Sequence, residues 1–341
     1  MTERYSTFTE FSSAVHTSLQ QELKNAVAVS RESHSSRLGE MISYQMGWTG
    51  EGAGPEAAGK QIRPKMVLLS CAAAGGQWQD ALPAAAAVEL IHNFSLIHDD
   101  IEDHSEYRRG RPTIWKIWGI PQAINTGDAM FALANAALLR LEKPVSPEII
   151  LEAGKLFHQT CLRLTQGQHL DILFESVRNV SIEDYWEMVA GKTAALLAFS
   201  MEVGALCAKA DPKLQKNLSD FGLNLGLAFQ AQDDFLGIWG VKEDLGKSTS
   251  GDLISKKKTL PILFGLNQSG PFRQLWEQEL LSTSDIDDLK QILEKAGGYD
   301  YTKKEVENLT QNALHSLEMI PPSPALSPLL DLANLLLSRT R

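Results

Sequence analysis

Residues 84–103 read Ala-Ala-Ala-Ala-Val-Glu-Leu-Ile-His-Asn-Phe-Ser-Leu-Ile-His-Asp-Asp-Ile-Glu-Asp, an apolar run that ends in four carboxylates. On a helix, Asp99 and Asp103 lie about one turn apart. Two carboxylates so close repel each other, and they also oppose the negative end of the helix dipole. A hard cation such as Mg²⁺, which prefers oxygen ligands, would relieve both problems. The alternative is a solvated acidic helix end, but a solvated surface helix is not apolar all round.

A second apolar stretch, residues 221–239, also carries acidic side chains towards its C-terminal end. It reads Phe-Gly-Leu-Asn-Leu-Gly-Leu-Ala-Phe-Gln-Ala-Gln-Asp-Asp-Phe-Leu-Gly-Ile-Trp, so that Gln230, Asp233 and Asp234 interrupt an apolar helix. Carboxylates in apolar surroundings need a partner or a metal. Two such helices in one chain favour facing helices that share a metal–diphosphate cluster over two separate solvated ends.

The composition limits the class of protein. The chain has 341 residues, 43% of them apolar, and a formal net charge of −10, which argues against nucleic acid or anionic lipid as the main partner. Its three cysteines lack CxxC spacing and are expected to be buried thiols in a reducing cytosol. The N-terminus has no signal core, and no run approaches the ~20 apolar residues of a membrane span. We therefore expect a soluble, cytoplasmic protein.

Apolar residues recur at three- and four-residue spacing in many segments, whereas strand-like alternation is nearly absent. This pattern predicts an all-α chain of about ten or more helices. The clearest helical segments are 81–103, 121–141, 148–173, 182–207, 213–239 and 300–318. Loops are expected at residues 47–59, 240–255 and 320–328. Nothing marks a domain boundary, so we expect one domain over residues 1–341.

Several residues mark where these helices begin or end. Ser146 and Asp211 each precede a proline, as a capping residue does before proline at the first helical position. Ser181 begins a sequence that resembles a capping box, with Asp184 in place of the usual Glu. Gly297, at the start of a Gly-Gly pair, is expected to stop the preceding helix.

Cationic side chains that could bind phosphate flank both acidic stretches. Lys60 and Arg63 close a glycine-rich loop and open a helix, whose N-terminus also favours an anion. Arg108 and Arg109 follow the first acidic motif, where they could instead simply balance its charge. Lys192 interrupts an apolar helix, which is costly unless it faces a polar cavity. The lysines after residue 246 could be solvated.

In this order, the motifs resemble those of the trans-isoprenyl diphosphate synthases, the farnesyl, geranylgeranyl and polyprenyl diphosphate synthase family. The resemblance covers roughly residues 55–265; each motif alone is weak, but all of them in order are highly specific. The matching residues are Gly59-Lys60-x-x-Arg63-Pro64, His92, Asp99-Asp100-x-x-Asp103, Arg108-Arg109-Gly110, Gly167-Gln168-x-x-Asp171, Lys192-Thr193, Gln230-x-x-Asp233-Asp234, Gly246-Lys247 and Asp252 with Lys257.

The resemblance implies an all-α isoprenoid-synthase bundle around a deep apolar cavity, with the two acidic helices facing each other at its mouth. It implies a prenyltransferase that joins an allylic diphosphate (dimethylallyl, geranyl or farnesyl) to isopentenyl diphosphate, head to tail and in trans. The enzyme would be a homodimer, which is the habit of the family. Three Mg²⁺ ions would bridge the allylic diphosphate to Asp99, Asp103 and Asp233.

The resemblance also gives the other residues roles. Those expected at the allylic diphosphate are Arg108, Lys192, Thr193, Gln230, Lys247 and Lys257. Those expected at isopentenyl diphosphate are Lys60, Arg63, His92 and Arg109. Those expected to carry catalysis are Asp99, Asp100, Asp103, Lys192, Asp233 and Asp234. Ionisation of the allylic C–O bond builds negative charge on the leaving diphosphate, and metal and cations stabilise that charge.

The sequence departs from the family pattern at one position. The second motif usually ends in a third aspartate, but residue 237 is glycine. Asp233 and Asp234 remain, so a metal can still bind. The missing carboxylate is expected to weaken a metal or to change a water network, unless Glu243 or Asp244, which lie beyond the helix pattern, compensate for it.

Product length in this family depends on residues that precede the first acidic motif. Phe94, five residues before Asp99, is followed by the small Ser95, a combination that resembles geranylgeranyl (C20) synthases more than farnesyl (C15) ones. A helix places Phe94 about 140° from Asp99, which does not by itself make it the floor of the cavity. A farnesyl or longer-chain product remains the alternative, and a terpene cyclase or a non-catalytic partner subunit is the alternative of another class.

Overall fold

The structure is a computed structural model that describes residues 5–28, 36–240, 251–268, 270–278 and 282–337. Within these residues the chain is all-α, with one hairpin of two-residue strands, in which Tyr107 pairs with Pro112 and Arg108 with Arg111. The first elements are α1 Phe8–Val27, α2 Ser36–Gln45, α3 Pro55–Ala58, α4 Ile62–Ala73, α5 Leu82–Glu102, β1 Tyr107–Arg108, β2 Arg111–Pro112, α6 Ile114–Trp118, α7 Ile120–Leu139 and α8 Pro147–Ser176.

The remaining elements are also helices. They are α9 Ile182–Val189, a π-helical turn Ala190–Ala194, α10 Ala195–Cys207, α11 Pro212–Trp239, α12 Gly251–Ile254, α13 Leu260–Asn267, α14 Pro271–Trp276, α15 Thr283–Lys295, α16 Gly298–Glu318 and α17 Leu326–Leu337. Two short 3₁₀ turns, Trp78–Ala81 and Arg140–Glu142, precede α5 and follow α7. The helical segments predicted from apolar spacing are all confirmed, with ends that differ by at most three residues.

The predicted helix ends are also confirmed. Asp211 Oδ1 accepts hydrogen bonds from the backbone N–H groups of Lys213 and Leu214 at 2.9 and 3.0 Å. Ser181 and Asp184 form a reciprocal capping box at the start of α9. Gly297 lies just past α15 with φ 87°, a left-handed conformation that glycine adopts without strain.

The predicted loops contain short pieces of helix. The turn α3 begins at Pro55 inside the predicted loop 47–59, because proline favours the first position of a helix. The last helix, α17, begins at Leu326, before the predicted end of the loop 320–328. In the third loop, residues 241–250 lie outside the described residues, and Gly251–Ile254 form one helical turn.

The chain divides into two compact units. The first comprises Met1–Gln159, Phe199–Leu218 and Pro322–Leu329, and the second comprises Thr160–Ala198, Ser219–Pro321 and Leu330–Arg341. Whether the chain behaves as the single domain expected over residues 1–341 stays a prediction.

Helix α5 is the centre of the first unit. Residues 84–88 have no solvent exposure, and the helix packs against α1, α4 and α7. Gly127 of α7 lies against α5, and an added methyl group there would lie 2.2 Å from Nε2 of His98. Because four alanines and this glycine keep the helices close, the acidic end of α5 projects from a rigid core.

The second unit has a core of its own. Buried apolar side chains from α9, α11, α13 and α15 form one cluster, which includes Tyr185, Ile238, Leu263 and Leu289. This cluster surrounds the buried part of α11, which carries the second acidic motif. Both acidic motifs thus lie on helices that contribute many buried residues to a core.

One helical stretch, Ile182–Cys207, is long and apolar enough to cross a membrane by length and composition alone. Its most apolar 18-residue window has a mean hydropathy of 1.3, and 67% of that window is buried within the protein. A core helix of a soluble protein has the same properties, so this stretch is weak support for a membrane span.

Candidate functional site

The first acidic motif lies where α5 ends. The backbone N–H of Asp103 donates to the carbonyl of Asp99 at 2.8 Å, so the helical geometry extends across the motif. The predicted one-turn separation of the two residues is therefore present. The side chain of Asp99 is 20% exposed and Asp103 is exposed, whereas Asp100 between them is 2% exposed and faces the core.

Arg108 neutralises part of this motif. Its Nη2 lies 3.0 Å from Oδ2 of Asp99, and its Nε lies 2.6 Å from Oδ1 of Asp100. Burial raises the pKa of Asp100 to about 6, although Arg108 lowers it. Arg108 thus has the charge-balancing contact that the sequence left open as an alternative to diphosphate binding.

The four residues predicted to bind isopentenyl diphosphate come together in the first unit. Lys60, Arg63, His92 and Arg109 line one cavity of about 140 Å³, which they share with Gln61, Ile62 and Glu89. Arg63 Nη1 donates to Nε2 of His92 at 3.4 Å, so this nitrogen of the imidazole is unprotonated. Burial and the nearby Arg63, Arg109 and Arg108 hold the pKa of His92 well below its usual value. The cavity therefore presents three cations and a neutral histidine.

The loop before α4 fixes the shape of this cavity. Gly59 has φ 72°, and an added methyl group there would lie 2.6 Å from Cζ of Arg109. Gln61, the residue before α4, is left-handed with φ 49°, and its side-chain oxygen accepts from Gln20 at 2.7 Å. Arg109 Nη1 donates to the carbonyl of Ala57 at 3.0 Å. Gly59 is thus required by a close contact with a substrate-binding candidate.

Glu89 is a residue of this cavity that sequence analysis missed. It lies on α5, is 2% exposed, and its Oε1 accepts from Nδ2 of Asn93 at 3.1 Å. Burial raises its pKa to about 7, although Arg109, Arg63, Asn93 and Lys65 lower it. The sequence contains a signal for it, since Glu89 is the one charge within the apolar run 84–97.

The raised pKa of Glu89 predicts a pH dependence of stability. The folded state keeps a proton that the unfolded chain, with the ordinary pKa of 4.5, has lost. The free energy of unfolding should therefore fall as pH rises from 4.5 to 7, by roughly 3 kcal/mol at most. Glu89→Gln should remove this slope, measured by urea denaturation across that range. Asp100 and Asp234 contribute slopes of the same sign in both proteins, so an unchanged slope in the variant would contradict the assignment.

In the second unit, Lys192 and Thr193 lie on the π-helical turn. Ala195 donates its backbone N–H to the carbonyl of Ala190, five residues earlier. Such wide turns are frequent at functional sites. Nothing in the sequence Ala-Gly-Lys-Thr-Ala signals this extra residue in the turn. The turn carries Lys192 and Thr193, two of the residues predicted to bind the allylic diphosphate.

Two glycines bring this turn against α8. A methyl group on Gly167 would lie 2.1 Å from the backbone nitrogen of Lys192, and one on Gly191 would lie 2.7 Å from the carbonyl oxygen of Arg163. The contact is therefore backbone on backbone. It places Nζ of Lys192 in a charged hydrogen bond with Oδ2 of Asp171 on α8.

Asp171 is the anion that holds two of the predicted lysines. Besides Lys192, Nζ of Lys257 lies 3.6 Å from its Oδ2. Burial alone would raise the pKa of Asp171, but Lys257 and Lys192 lower it below the usual value. The residue stays ionised at neutral pH and lies within ion-pairing distance of both lysines. Lys247, a further predicted lysine, lies outside the described residues.

The two aspartates of the second acidic motif differ in their exposure to solvent. Asp233 is exposed, whereas Asp234 is 3% exposed. Asp234 Oδ2 accepts from the hydroxyl of Tyr185 at 2.6 Å and from the N–H of Leu260 at 2.9 Å. Its Oδ1 accepts from Nε2 of Gln230 at 2.9 Å. Burial raises its pKa to about 7 against these hydrogen bonds.

Asp234 therefore acts on the site through Gln230. Because Nε2 of Gln230 faces Asp234, its Oε1 faces the other way and accepts from the hydroxyl of Thr193 at 3.1 Å. Tyr185, which sequence analysis missed, begins this series of hydrogen bonds. The geometry suits Asp233 as a metal ligand and Asp234 as the residue that orients Gln230 and Thr193.

Gly237, which ends the second motif, lies against the carboxylate of another residue. A methyl group on Gly237 would lie 2.3 Å from Oδ2 of Asp252 on α12. The room that a side chain at position 237 would need is thus occupied by another carboxylate. Glu243 and Asp244, which the sequence suggested as compensation, lie outside the described residues.

The residues predicted to limit product length lie on α5, before the first acidic motif in the sequence. The ring of Phe94 packs 5.4 Å from Phe131 of α7 and 4.7 Å from the ring of His98, centroid to centroid. Ser95 donates its hydroxyl to the carbonyl of His92 at 2.8 Å. Phe131 is a neighbour that sequence analysis did not identify.

A larger cavity lies elsewhere in the first unit. It has a volume of about 1110 Å³ and is lined by residues such as Tyr44, Arg111 and Trp118, none of which was predicted to bind substrate. Among the described residues, no three His, Cys, Asp or Glu side chains converge as a metal cluster. The carboxylates at Asp99 and Asp103 are hard oxygen ligands of the kind that Mg²⁺ uses together with substrate phosphates.

Comparisons with known proteins agree with these observations. The polyprenyl synthetase family model matches residues 54–296. The chain is 38% identical over 311 residues to the (2E,6E)-farnesyl diphosphate synthase of Mycobacterium tuberculosis, covering 88% of this chain and 85% of that protein. It is also 38% identical over 308 residues to the geranylgeranyl diphosphate synthase of the same organism, covering 88% and 87%.

A solved structure extends the similarity to the fold. The geranylgeranyl pyrophosphate synthetase of Pyrococcus horikoshii superposes with a TM-score of 0.87 at 33% identity, covering 97% of this chain and 98% of that one. The family match spans both acidic motifs and all the cationic residues described above. The chain therefore belongs to the polyprenyl synthetase family of trans-prenyl diphosphate synthases.

Proposed function

We propose that this chain condenses an allylic diphosphate with isopentenyl diphosphate, head to tail, and that its product is geranylgeranyl diphosphate. The observation that carries the proposal is the cavity lined by Lys60, Arg63, His92 and Arg109, in the same unit as the Asp99–Asp103 motif. A terpene cyclase, which uses one diphosphate, has no need of a second cationic cavity. A non-catalytic subunit tends to lose its acidic motif, and here the motif is intact.

The proposed metal ligands are Asp99, Asp103 and Asp233. All three have carboxylates that reach solvent, unlike Asp100 and Asp234, which are buried. Three Mg²⁺ ions, when bound, would supply positive charge to the allylic diphosphate and so favour its departure. Magnesium use is typical of this family.

The side chains of the second unit then have distinct tasks. Lys192 and Lys257, which pair with Asp171, are proposed to bind the oxygens of the allylic diphosphate and to stabilise the charge that develops as the C–O bond breaks. Gln230 and Thr193 have fixed hydrogen-bond directions because Asp234 accepts from Gln230. Lys247 and Arg108 are proposed to assist at the same diphosphate. The proton lost after condensation is proposed to leave with that diphosphate.

Phe94 is the proposed limit on product length. It contacts Phe131 and His98 on the side of α5 that faces α7. A specific observation also favours a second candidate, farnesyl diphosphate, because the chain is 38% identical to synthases of either name from one organism. The product therefore has to be measured.

Phe94→Ala is expected to lengthen the products by one or more isoprene units, because it removes a ring that blocks the space next to Phe131. The measurement is chromatographic sizing of products made from labelled isopentenyl diphosphate. Ser95→Ala is the matched control, since it changes the adjacent residue without changing its bulk, and its products should match the wild type. Unchanged products from Phe94→Ala would exclude Phe94 as a determinant.

The proposed function is tested by incubating the protein with Mg²⁺, isopentenyl diphosphate and each allylic starter in turn. Geranylgeranyl diphosphate should accumulate, and EDTA should prevent it. A farnesyl or longer product would replace the C20 assignment, and cyclised hydrocarbon or no product would overturn the synthase assignment.

We also propose a homodimeric, cytoplasmic enzyme. The burial of its most apolar helical stretch supports the cytoplasmic location, and exposed apolar residues on α7 and α8, such as Ile124 and Leu151, support the dimer.

A further inference from the structure

The cationic cavity contains an acid that its proposed ligand does not need. Five buried side-chain atoms lack a hydrogen-bond partner among the described residues, and three of them belong to residues of this one cavity: Nε2 of Gln61, Nε of Arg63 and Oε2 of Glu89. Two of these atoms are donors and one is an acceptor. Such a concentration of unsatisfied groups indicates that the cavity is completed by a ligand.

A diphosphate can satisfy only two of the three atoms. Its oxygens accept hydrogen bonds, so they match Nε2 of Gln61 and Nε of Arg63. Oε2 of an ionised Glu89 would face these oxygens as a second acceptor, with a like charge. Protonation turns Oε2 into an O–H donor and removes the charge, and the mismatch then disappears.

The surroundings of Glu89 are suited to such a change. The groups that act on it are Arg63 and Lys65 of α4, Arg109 of the hairpin turn, and Asn93 of its own helix. No basic side chain lies within ion-pairing distance of its carboxylate among the described residues, and Lys65 instead donates to the carbonyl of Lys60 at 2.8 Å. The cations balance Glu89 only from a distance, and burial raises its pKa to about 7. A ligand that engages Arg63 and Arg109 weakens that balance further.

His92 does not compete for this proton. Its Nε2 accepts from Arg63, and burial and the arginines hold its pKa well below the usual value. Gln45 of α2 and Gln20 of α1 contribute neutral amides that hydrogen-bond Asn93 and Gln61. Glu89 is thus the group of this cavity that can gain a proton near neutral pH.

We infer that Glu89 takes up a proton from the buffer when isopentenyl diphosphate enters the cavity that it shares with Gln61, Arg63 and Arg109, and that its Oε2 then donates to the bound diphosphate. The inference deepens the proposed function, on which it rests. It makes Glu89 a residue that sets the affinity for the second substrate and gives that affinity a pH dependence. Binding should weaken about fivefold between pH 7 and pH 8 on account of this group alone.

The test is isothermal titration calorimetry of isopentenyl diphosphate into the full chain. EDTA is present and no allylic diphosphate is added, so that neither metal binding nor turnover contributes. Titrations at pH 8 in two buffers of different ionisation enthalpy give the number of protons taken up. The wild type should take up nearly one proton more than Glu89→Gln. Titration of the ligand itself is common to both proteins and cancels in the difference.

The inference also predicts that the glutamine variant gains affinity for isopentenyl diphosphate. Its amide presents a donor at every pH, so Glu89→Gln should bind isopentenyl diphosphate about tenfold more tightly than the wild type at pH 8, with little difference below pH 6. A purely structural role would not produce this crossover. Glu89→Asp, which keeps an acid, should retain proton uptake if the glutamine variant fails to fold. Glu142→Gln, which removes an exposed carboxylate, should behave as the wild type.

Equal proton uptake by wild type and Glu89→Gln would overturn the inference, as would tighter binding by the wild type at pH 8. Either result leaves the proposed function intact if product still forms. Failure to bind isopentenyl diphosphate, together with absence of product, would instead count against the proposed function. The two failures are therefore distinguishable.

Discussion

Asp103→Asn is expected to reduce turnover by about 100-fold to 1000-fold while leaving the protein as stable as the wild type. Asp103 is exposed and lies just after the last residue of α5. Removing a negative charge at the C-terminal end of a helix does not harm the helix. The proposed role of the carboxylate is to bind metal, so its removal should not affect folding. Product formation as a function of Mg²⁺ concentration and urea denaturation measure the two effects.

Glu102→Gln is the matched control for this substitution. It removes an exposed carboxylate from the adjacent position of the same motif and should leave turnover within a factor of about three. Near-wild-type activity of Asp103→Asn, at any Mg²⁺ concentration, would exclude Asp103 as a metal ligand. Equal losses in both variants would indicate a general effect of charge instead.

Asp234→Ala and Asp233→Ala are expected to have opposite consequences although the residues are adjacent. Asp234 accepts from Tyr185, Leu260 and Gln230 inside the core of the second unit. Its loss strands buried donors and should cost about 3 kcal/mol of unfolding free energy. Asp233 is exposed, and its loss should change stability by less than ~0.5 kcal/mol while it reduces turnover about 100-fold or more.

Urea denaturation and steady-state kinetics on both variants separate these roles. Tyr185→Phe extends the comparison, because it removes one donor to Asp234 and leaves the ring in place. It should raise KM for the allylic diphosphate with little change in KM for isopentenyl diphosphate. If Asp233→Ala were the destabilised variant and Asp234→Ala the stable one, the assignment of the two aspartates would have to be reversed.

The fold was predictable because its sequence patterns are local. Apolar spacing located the helices, and Asp211, Ser181 and Gly297 marked ends that the structure confirms. The π-helical turn at Ala190–Ala194 was not predictable, since one hydrogen bond from a residue five positions on leaves no trace in composition. The site residues of both motifs were located by type and spacing, and their roles stay predictions.

What the sequence did not reveal is which member of each acidic pair points inwards. Successive residues on a helix differ by about 100°, so Asp99 and Asp100, like Asp233 and Asp234, cannot share an environment. The direction of each depends on neighbours that are distant in the sequence, such as Tyr185 and Leu260 for Asp234. Glu89 was overlooked for the related reason that its partners belong to other elements.

The contact between Gly167 and the turn that carries Lys192 bears on redesign of this enzyme. A library that varies side chains around the proposed allylic diphosphate site changes the lining of that site but keeps the distance between the backbones of α8 and the turn. Any side chain at position 167 would push the turn outwards, because even an added methyl group would lie 2.1 Å from the backbone nitrogen of Lys192. Engineers who seek new starter units should therefore keep Gly167 and Gly191 unchanged and diversify the residues around them.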